Sequence, residues 1–397
     1  MLTKGGYMMK KIVVLGGGIA GVECAIFLRK YNFEVELISD RDYLYIYPIS
    51  IWIPTKEKKL EDVIIPMQDL ANAHGFKFVK DKVVQVNKDS FILENGGERK
   101  DFDYLIVALG QQKLKHKGIE YTYSICSTPE ETLEYTKKLD ELINQKKGGK
   151  LAFGFGGNPN AKEAVRGGPV FEVLFNVDYY LRKLKIRDNF ELTFFAPMPK
   201  PGERLGETAL RMMDSMFKKL NIKSITGKKI VEFKPDGVLL EDGTKIESDL
   251  TLFTPAGDGH PAVKAGNLPQ TNAGFIVIEP TNQVKDCENV YAIGDSAALE
   301  GPEWKAKQGH LAEVMARNTA YNIALKEGLE KGNPKTYHEH INILCLMDMG
   351  NGGGLAYRDD KKALLIPLPI IGHWMKKGWG MYYKLSKLGR IPRLPGM

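Results

Sequence analysis

The stretch that decides the fold is residues 11–21, KIVVLGGGIAG. Its first five residues predict a buried parallel strand and residues 22–30 predict a helix, so the glycines lie at a strand-to-helix turn. In such a turn Gly16 permits the tight bend, Gly18 lets the backbone approach a pyrophosphate, and Gly21 lets helix and strand pack closely. The helix N-terminus then faces the anion, which makes this turn a candidate dinucleotide site.

Three later segments extend this pattern. A second predicted strand, residues 34–38, ends at Ser39 and Asp40, about 20 residues downstream, where the ribose of a dinucleotide needs an acceptor. Residues 103–110 are similar to the strand that closes the nucleotide domain in two-dinucleotide-domain flavoproteins. The motif VYAIGD at 290–295 resembles their late motif, whose aspartate bonds the ribityl chain of the flavin. We therefore predict an FAD site; the alternative is a glycine-rich turn without a ligand.

Length and composition fit an enzyme whose main body is soluble. The chain has 397 residues, 43% of them hydrophobic, which is enough for two or three domains with real cores. It has no run of 18 or more apolar residues, so no transmembrane helix is predicted. Lys10 and Lys11 precede an apolar run, but this run leads into the glycine turn without a cleavage-like site, so no signal peptide is predicted. Residues 1–8 are predicted to be a disordered lead-in.

Four scattered cysteines are too few for a secreted disulfide scaffold: Cys24, Cys126, Cys287 and Cys345.

Positive charge is concentrated in the tail. From Lys361 onward the chain has eight Lys and Arg residues and no Asp or Glu, whereas the net charge of the whole chain is +7. A helical projection of residues 371–388 separates an apolar face from a basic one. The apolar face is formed by Ile371, Trp374, Met375, Trp379, Tyr382 and Leu385, and the basic face by Lys376, Lys377, Lys384 and Lys387.

This segment is typical of an interfacial helix with aromatic side chains at headgroup depth. Gly378 and Gly380 each weaken a helix by about 1 kcal/mol relative to alanine. An amphipathic helix packed on the protein's own core is one alternative. Nucleic-acid binding is another, but no recognition motif accompanies the basic stretch, and no nucleic-acid partner is predicted.

A second α/β unit is predicted in the middle of the chain. Residues 150–157 predict a strand and another glycine turn, of the kind with which related reductases bind NAD(P)H. Pro159 occupies the third glycine position, polar residues follow before Gly167, and the strand predicted over 191–195 ends without a carboxylate. Pyrophosphate binding needs the turn directly on the helix N-terminus, so an NAD site is disfavoured here.

Four further segments resemble the sulfide:quinone oxidoreductases. They are YSICSTPE at residues 123–130, GPVFE at 168–172, KQGH at 307–310 and CLMD at 345–348. The first is similar to the segment around the first flavin-side cysteine of that family, and the second to the start of its second-domain helix. The third is similar to its Lys-x-Gly segment near the pyrimidine end of the flavin, and the fourth to the strand bearing its last redox cysteine. The wider superfamily also holds flavocytochrome c sulfide dehydrogenase and type II NADH dehydrogenase.

The resemblance implies a function and a set of catalytic residues. Sulfide gives two electrons, FAD holds both, and a quinone accepts both. By resemblance, Cys345 is the nucleophile or persulfide carrier, Cys126 lies beside the dimethylbenzene edge of the flavin, and Glu172 is a carboxylate able to handle protons. The alternative for Cys345 is a buried packing residue.

Together, the motifs and the resemblance give the predicted cofactor-binding residues. No metal is predicted, because the chain has no CxxC pair. The residues predicted to bind FAD are Gly16, Gly18, Gly21, Ser39, Asp40, Pro48, Val83, Ala108, Gly110, Cys126, Gly294, Asp295, Lys307 and Gln308.

One position departs from the family pattern. In the family a central cysteine stands two residues before the glycine of the Gly-Pro pair and bridges through sulfur to the last cysteine; here Arg166 stands there. The three-sulfur bridge therefore cannot form, and the growth of a long polysulfide chain is in doubt. Arg166 is counted with the catalytic residues, since its charge suits an anionic substrate or lowers the pKa of a neighbouring thiol; a solvated arginine is the alternative.

We predict an α/β protein with two doubly wound Rossmann-like domains. The FAD-binding domain is discontinuous (9–115 and 275–335), the second domain is 116–274, and 336–397 forms a redox-cysteine and membrane-binding region. The predicted function is an FAD-dependent sulfide:quinone oxidoreductase held peripherally on a bilayer, with sulfide or another small sulfur donor and a membrane quinone as partners. The alternatives are a type II NADH:quinone dehydrogenase and a non-catalytic flavin or sulfur carrier. A homo-oligomer is compatible with the sequence.

Overall fold

The computed structural model describes residues 9–394, so the lead-in predicted over residues 1–8 lies outside the described residues. Its helices are α1 Ile19–Lys30, α2 Tyr47–Ser50, α3 Leu60–Val63, α4 Met67–His74, α5 Pro129–Glu141, α6 Gly168–Lys183, α7 Glu207–Lys219, α8 Pro261–Lys264, α9 Gly309–Lys326 and α10 Ile371–Lys387.

The strands belong to two parallel sheets, a C-terminal antiparallel sheet and several short ribbons. In chain order they are β1 Lys11–Leu15, β2 Glu34–Ser39, β3 Tyr43–Tyr45, β4 Ile64–Pro66, β5 Lys77–Lys80, β6 Val83–Val86, β7 Phe91–Leu93, β8 Gly97–Arg99, β9 Tyr104–Val107, β10 Gln111–Lys113, β11 Thr122–Tyr123, β12 Gly149–Phe155, β13 Phe190–Ala196, β14 Ile222–Thr226, β15 Ile230–Lys234, β16 Gly237–Leu240, β17 Lys245–Glu247, β18 Leu250–Thr254, β19 Gly257–Gly259, β20 Ile276–Val277, β21 Val290–Ala292, β22 Ala297–Ala298, β23 Ile343–Asp348, β24 Gly352–Arg358 and β25 Ala363–Pro369.

The first parallel sheet has the order β21-β9-β1-β2-β5. Its central strand β1 pairs with β2 on one side and β9 on the other, and Ile12 to Leu15 are fully buried, as the apolar run predicts. β21 joins its edge in parallel with β9, so residues distant in the chain complete the sheet that carries the glycine turn. α1 begins at Ile19, three residues before the predicted start, because the helix starts directly after Gly18.

The second parallel sheet has the order β11-β18-β12-β13-β14. α6 connects β12 to β13, and its buried aromatic side chains meet those of the sheet; the Phe171 and Phe194 rings are stacked with centroids 4.9 Å apart. Two parallel sheets with intervening helices make the predicted α/β fold of two Rossmann-like units.

The C-terminal segment is a three-stranded antiparallel sheet, β23-β24-β25, followed by α10. The predicted faces are followed only in part. On the basic face Lys376 is 4% exposed and Lys387 2%, whereas on the apolar face Trp374 is 64% exposed but Trp379 and Tyr382 are half-buried. The expectation that these two lysines form a free cationic face is therefore wrong, because buried glutamates pair with them. The exposed apolar side chains of the helix are Ile371, Trp374, Met375 and Met381. No helix among residues 9–394 has both the length and the apolar character needed to cross a bilayer.

Gly380 has a packing role that its helix propensity does not reveal. A Cβ at this position would lie 2.7 Å from a methyl group of Ile49 in α2, so glycine lets α10 approach the first domain closely.

Candidate active site

One cavity of about 2130 Å³ is lined by residues of both parallel sheets, β23 and α10. All four residues predicted to be catalytic line it, together with most of the predicted cofactor-binding residues. The predicted residues that line the cavity are Gly16, Gly18, Ser39, Asp40, Pro48, Val83, Ala108, Gly110, Cys126, Arg166, Glu172, Asp295, Lys307, Gln308 and Cys345. Gly21 and Gly294 are not among the lining residues.

The first glycine turn is shaped by three different constraints. A Cβ on Gly16 would overlap the carbonyl of Ala108, and its φ is +111°, which favours glycine. A Cβ on Gly21 would overlap the Gly16 carbonyl, so this glycine packs the helix on the turn. Gly18 is different: no protein atom lies within 4 Å of its missing Cβ. Its backbone is open to the cavity at the uncapped N-terminus of α1, which fits a pyrophosphate.

The end of β2 provides a buried hydroxyl and an exposed carboxylate. Ser39 Oγ accepts a 3.2 Å hydrogen bond from the Arg41 amide, and a Cβ on Gly17 would crowd this serine at 2.8 Å. The Asp40 side chain is exposed and lines the cavity. Both residues remain predicted ribose contacts: the Asp40 carboxylate is exposed, whereas the Ser39 hydroxyl already accepts from a backbone amide.

The late motif ends in an ion pair that sequence reasoning did not anticipate. Arg166, from the segment before α6, pairs with Asp295 across the cavity. Gly294 precedes this aspartate with φ +63°, and a Cβ there would lie 2.8 Å from Ala20 Cβ, so its role is close packing against α1. Arg166 therefore lies beside the carboxylate predicted to hold the flavin's ribityl chain.

Lys307 is buried behind this pair. Its ammonium donates to the backbone carbonyls of Asp295, at 3.1 Å, and Ala297, and lies 4.0 Å from the Phe275 ring centroid. Burial lowers the pKa of Lys307 to about 7, and the negative charge of Glu163 offsets this only in part. α9 begins two residues later with no side-chain cap. An amine that titrates near neutral pH and a helix N-terminus both suit negative charge developing on a bound flavin.

Cys345 lies on β23 beside a buried acid–base pair. Glu172, in the first turns of α6, pairs with Lys376 of α10 and accepts a 2.7 Å hydrogen bond from the Asp348 amide. Burial raises the pKa of Glu172, and Lys376 offsets this only in part. Burial and then Glu172 raise the pKa of Cys345 to about 11. The cysteine is therefore held as a neutral thiol at neutral pH, next to a carboxylate with raised proton affinity.

A buried polar network, which sequence reasoning missed, lies next to Cys345 and the Glu172–Lys376 pair. Asp348, at the end of β23, accepts from Trp52 Nε1 at 2.8 Å and lies 2.7 Å from His373 Nδ1 of α10. The other ring nitrogen of His373 lies 3.3 Å from Glu57, which also pairs with Lys377 at 2.7 Å. β23, α10 and the segment after α2 are thus fixed together around the Glu172–Lys376 pair. The sequence signal was only a cluster of polar residues on an otherwise apolar strand and helix.

Cys126 is buried in the cavity wall between the parallel sheets. Its amide donates to Ser124 Oγ at 3.2 Å. Burial raises the pKa of the Cys126 thiol, while the positive charges of Arg166 and Lys113 lower it. Both predicted cysteines therefore face the same cavity, but each lies in a different electrostatic environment.

The second glycine turn does not lead directly into a helix. β12 ends at Phe155 and α6 begins at Gly168, so residues 156–167 intervene. β13 ends at Ala196, without a carboxylate at its tip. This arrangement lacks the direct turn-to-helix junction that a dinucleotide pyrophosphate uses.

Comparison with known proteins agrees with this geometry. A sequence model of the family described as pyridine nucleotide-disulphide oxidoreductase matches residues 10–320. The sulfide-quinone reductase of Aquifex aeolicus (strain VF5) is 25% identical over 405 residues, which cover 95% of this chain and 90% of that protein.

Solved structures share the whole fold. The X-ray structure of the sulfide:quinone oxidoreductase from Aquifex aeolicus has a TM-score of 0.83 at 24% identity and covers 96% of this chain and 92% of its own. The structure of NDH2 from Plasmodium falciparum in complex with NADH has a TM-score of 0.78 at 14% identity and covers 96% of both chains.

Proposed function

The chain belongs to the pyridine nucleotide-disulphide oxidoreductase family and is an FAD-dependent oxidoreductase, and we propose that it passes two electrons from sulfide to a membrane quinone. The observation that carries the proposal is the convergence of Cys345, Cys126 and the Glu172–Lys376 pair on the cavity that also contains the open glycine turn. A thiol beside a proton acceptor is the chemistry that sulfide oxidation requires.

In this proposal one residue of the chain binds sulfur and another accepts the proton that is released. When bound, FAD supplies the two-electron redox step. In the net reaction one hydrosulfide anion and the Cys345 thiol would form a Cys345 persulfide, releasing two electrons, which bound FAD would take up, and one proton, for which the chain must provide an acceptor, so atoms and charge balance. Because the pKa of Cys345 is raised to about 11, the thiol must lose its proton during the reaction. Glu172 is our candidate acceptor, since burial raises its pKa.

The persulfide then has to leave the enzyme. Arg166 provides no thiol at the central position, so we expect the sulfur to be transferred after one or a few atoms to an external thiol or as a short product. Replacing Arg166 with cysteine is expected to lengthen the products.

The acceptor end of the cavity reaches α10. Trp379, Tyr382 and Tyr383 line the cavity there together with the buried lysines Lys376 and Lys387, and aromatic walls with buried cations suit a quinone ring and its carbonyl oxygens. Trp374 and Met381 of the same helix are exposed, and we expect them to hold this end of the cavity against a bilayer.

A type II NADH:quinone dehydrogenase is the second candidate, favoured by the likeness to the NADH-bound Plasmodium structure over nearly the whole chain. The twelve residues between β12 and α6 argue against it. A dinucleotide would need its pyrophosphate at the N-terminus of α6, which the second glycine turn does not reach directly.

The deciding experiment uses the purified yellow holoenzyme under anaerobic conditions. Sulfide should bleach the flavin absorbance quickly, a short-chain quinone should restore it, and Cys345→Ser should abolish bleaching by sulfide, because a hydroxyl is a far weaker nucleophile at neutral pH. Bleaching by NADH alone would favour the dehydrogenase, and bleaching by neither donor would favour a flavin or sulfur carrier. Rapid bleaching of Cys345→Ser by sulfide would remove this cysteine from the mechanism.

A further inference from the structure

Cys345 lies between two differently built ends of β23. At the C-terminal end of the strand, Asp348 lies 2.7 Å from His373 of α10. In the other direction, Cys345 pairs with Ala356 of the antiparallel strand β24, and Arg358 follows two residues further along β24, opposite the start of β23. Directly opposed residues, and residues two apart in one strand, share a face of the sheet. Cys345 and Arg358 are therefore diagonal neighbours on one face, on the side of Cys345 away from α10.

The Arg358 side chain connects the C-terminal sheet to two other segments. Its Nη1 donates to the carbonyls of Glu203, at 3.2 Å, and Arg204, at 2.9 Å. Its guanidinium lies 5.2 Å from the centroid of the Trp304 ring, within the range in which a cation is attracted to an aromatic face. Arg358 and Trp304 are both half-buried and both line the cavity. Each of these side chains is thus held by a partner at the cavity wall.

Arg204 continues this connection within the second unit. Its guanidinium donates to the carbonyls of Lys162 and, at 3.5 Å, of Val165. Val165 directly precedes Arg166 in the chain. The turn at residues 203–205 is therefore held between the C-terminal sheet and the segment that carries Arg166.

Two more hydrogen bonds close these segments into a ring. The Lys307 amide donates to the Glu163 carbonyl at 3.1 Å, and the Gln308 side chain donates to the Asn342 carbonyl, directly before β23, at 2.7 Å. Residues from each part of the ring line the cavity. The parts of the ring are residues 162–165, 203–205 and 304–308, the start of β23 and the end of β24. Because main-chain groups take part in every one of these hydrogen bonds, the four segments are held at fixed separations.

We propose that this ring is the mouth through which sulfur compounds reach Cys345, and that Trp304 and Arg358 set its width. Hydrosulfide and other small sulfur species enter, and bulky thiols are excluded. This inference rests on the proposed function for the identity of the ligand, but not for the existence of the mouth. A stacked indole and guanidinium make a broad, rigid wall, since both groups are planar. The sulfur of a Cys345 persulfide then leaves as a short product or on a small thiol, because a large thiol cannot approach it.

The test measures how fast Cys345 of the oxidised holoenzyme is alkylated by iodoacetamide and by its bulky fluorescein derivative. Both reagents carry the same reactive group, each rate is divided by the rate with free cysteine, and peptide mass spectrometry assigns the modification to Cys345. We expect the wild type to prefer the small reagent. Trp304→Ala and Arg358→Ala should each lower this preference about tenfold, which corresponds to about 1.4 kcal/mol in the barrier. Trp304→Phe keeps an aromatic ring and should retain most of the preference.

Trp379→Ala is the matched control, because Trp379 is also a half-buried tryptophan that lines the cavity, but it belongs to α10. Its preference should equal that of the wild type. A wild type that does not discriminate between the reagents, or an unchanged preference in Trp304→Ala and Arg358→Ala, would overturn the mouth. A preference lost in Trp379→Ala alone would also overturn it, since the reagents would then enter beside α10. Arg358→Ala keeps the test decisive if Trp304→Ala loses its flavin.

Alkylation needs no turnover, so its outcome is separate from that of the proposed function. A size preference that depends on Trp304, in an enzyme that sulfide does not reduce, would support the mouth and refute sulfide as the donor. Reduction of the flavin by sulfide without any size preference at Cys345 would support the proposed function and overturn the mouth.

Discussion

The helices that follow the two glycine turns each carry a buried glutamate at the fifth position, Glu23 in α1 and Glu172 in α6. Both pair with lysines of α10, Glu23 with Lys387 and Glu172 with Lys376. The C-terminal helix thus connects the corresponding helices of both Rossmann-like units. Two lysines of this helix point inward because these two glutamates pair with them.

The two sites differ in how well the charge is neutralised. Burial acts to raise the pKa of Glu23, but Lys387 and Arg393 lower it below the ordinary value, and Arg317 lies 3.7 Å away. Glu172 has one cation, and burial leaves its pKa raised. The first glutamate is therefore a charged clamp that holds the C-terminus on the FAD-binding unit. The second lines the cavity and is the residue that we propose as the proton acceptor.

The largest expected effect comes from breaking the clamp. Glu23→Gln removes the carboxylate that Lys387 and Arg393 share in a buried site, which should lower the free energy of unfolding by about 3 kcal/mol, the lower end for a broken buried ion pair, because Glu313 still pairs with Lys387. Chemical denaturation at neutral pH measures it, and Glu172→Gln is the paired variant. A loss no larger in Glu23→Gln than in Glu172→Gln would contradict the distinction between clamp and acid.

The next largest effect is expected from valine at Gly18, and the same change at Gly168 tests whether the first and second glycine turns differ in ligand binding. Neither Gly18 nor Gly168 has a protein atom within 4 Å of its missing Cβ, so valine at either site avoids a clash with the protein. Gly18→Val should block the pyrophosphate and weaken FAD binding on the order of a hundredfold, about 2.7 kcal/mol. Gly168→Val should keep its flavin. The flavin-to-protein absorbance ratio after purification measures the FAD occupancy of each variant. Full FAD occupancy in Gly18→Val would show that the pyrophosphate does not bind at this turn.

The outward face of α10 should carry membrane binding, because its inward face is occupied by the two glutamates. Replacing both Trp374 and Met381 with serine removes exposed apolar groups and should weaken liposome binding by about 2 kcal/mol, roughly thirtyfold. Liposome sedimentation at low and high salt measures this, with little salt dependence expected.

These surface substitutions are preferable to truncation from Lys361. Truncation would also leave Glu23 and Glu172 without their lysine partners and would destabilise both units. Wild-type sedimentation of the double serine variant would exclude this face as the membrane contact.

The smallest effect is a difference in pH dependence. The pKa of Glu23 is lowered, so its stabilisation is present above the ordinary value of 4.5 and is lost as the pH falls through the lowered pKa. The pKa of Glu172 is raised, so its favourable contribution is present below 4.5 and is lost as the pH rises through the raised pKa.

Unfolding free energies of the wild type, Glu23→Gln and Glu172→Gln, measured from pH 3 to pH 8, test these opposite signs. The advantage of the wild type over Glu23→Gln should shrink in acid, and its advantage over Glu172→Gln should shrink toward alkaline pH. Parallel curves for the two variants would show that both glutamates have the same role.

Much of the first unit follows from local sequence. The apolar run of β1 and the glycines after it predict strand, turn and helix, and the helix start differs by only three residues. Cys345 lies on a strand, as its family-like segment predicts. The spacing of residues in α10 also predicts an amphipathic helix, although it does not predict which side faces inward. Glycine geometry and hydrophobic periodicity are properties of a few consecutive residues, which is why they can be read without a structure.

The direction in which α10 faces was decided only by the tertiary structure. A lysine face is compatible with solvent, a bilayer surface or a buried acid, and the choice depends on Glu23 and Glu172, which lie hundreds of residues away in the chain. The same holds for Arg166 beside Asp295, and for Arg358, whose contact with Trp304 no local pattern indicates. Charge pairing in a low-dielectric interior depends on distances between elements, and these distances exist only once both sheets and the C-terminal helix have packed together.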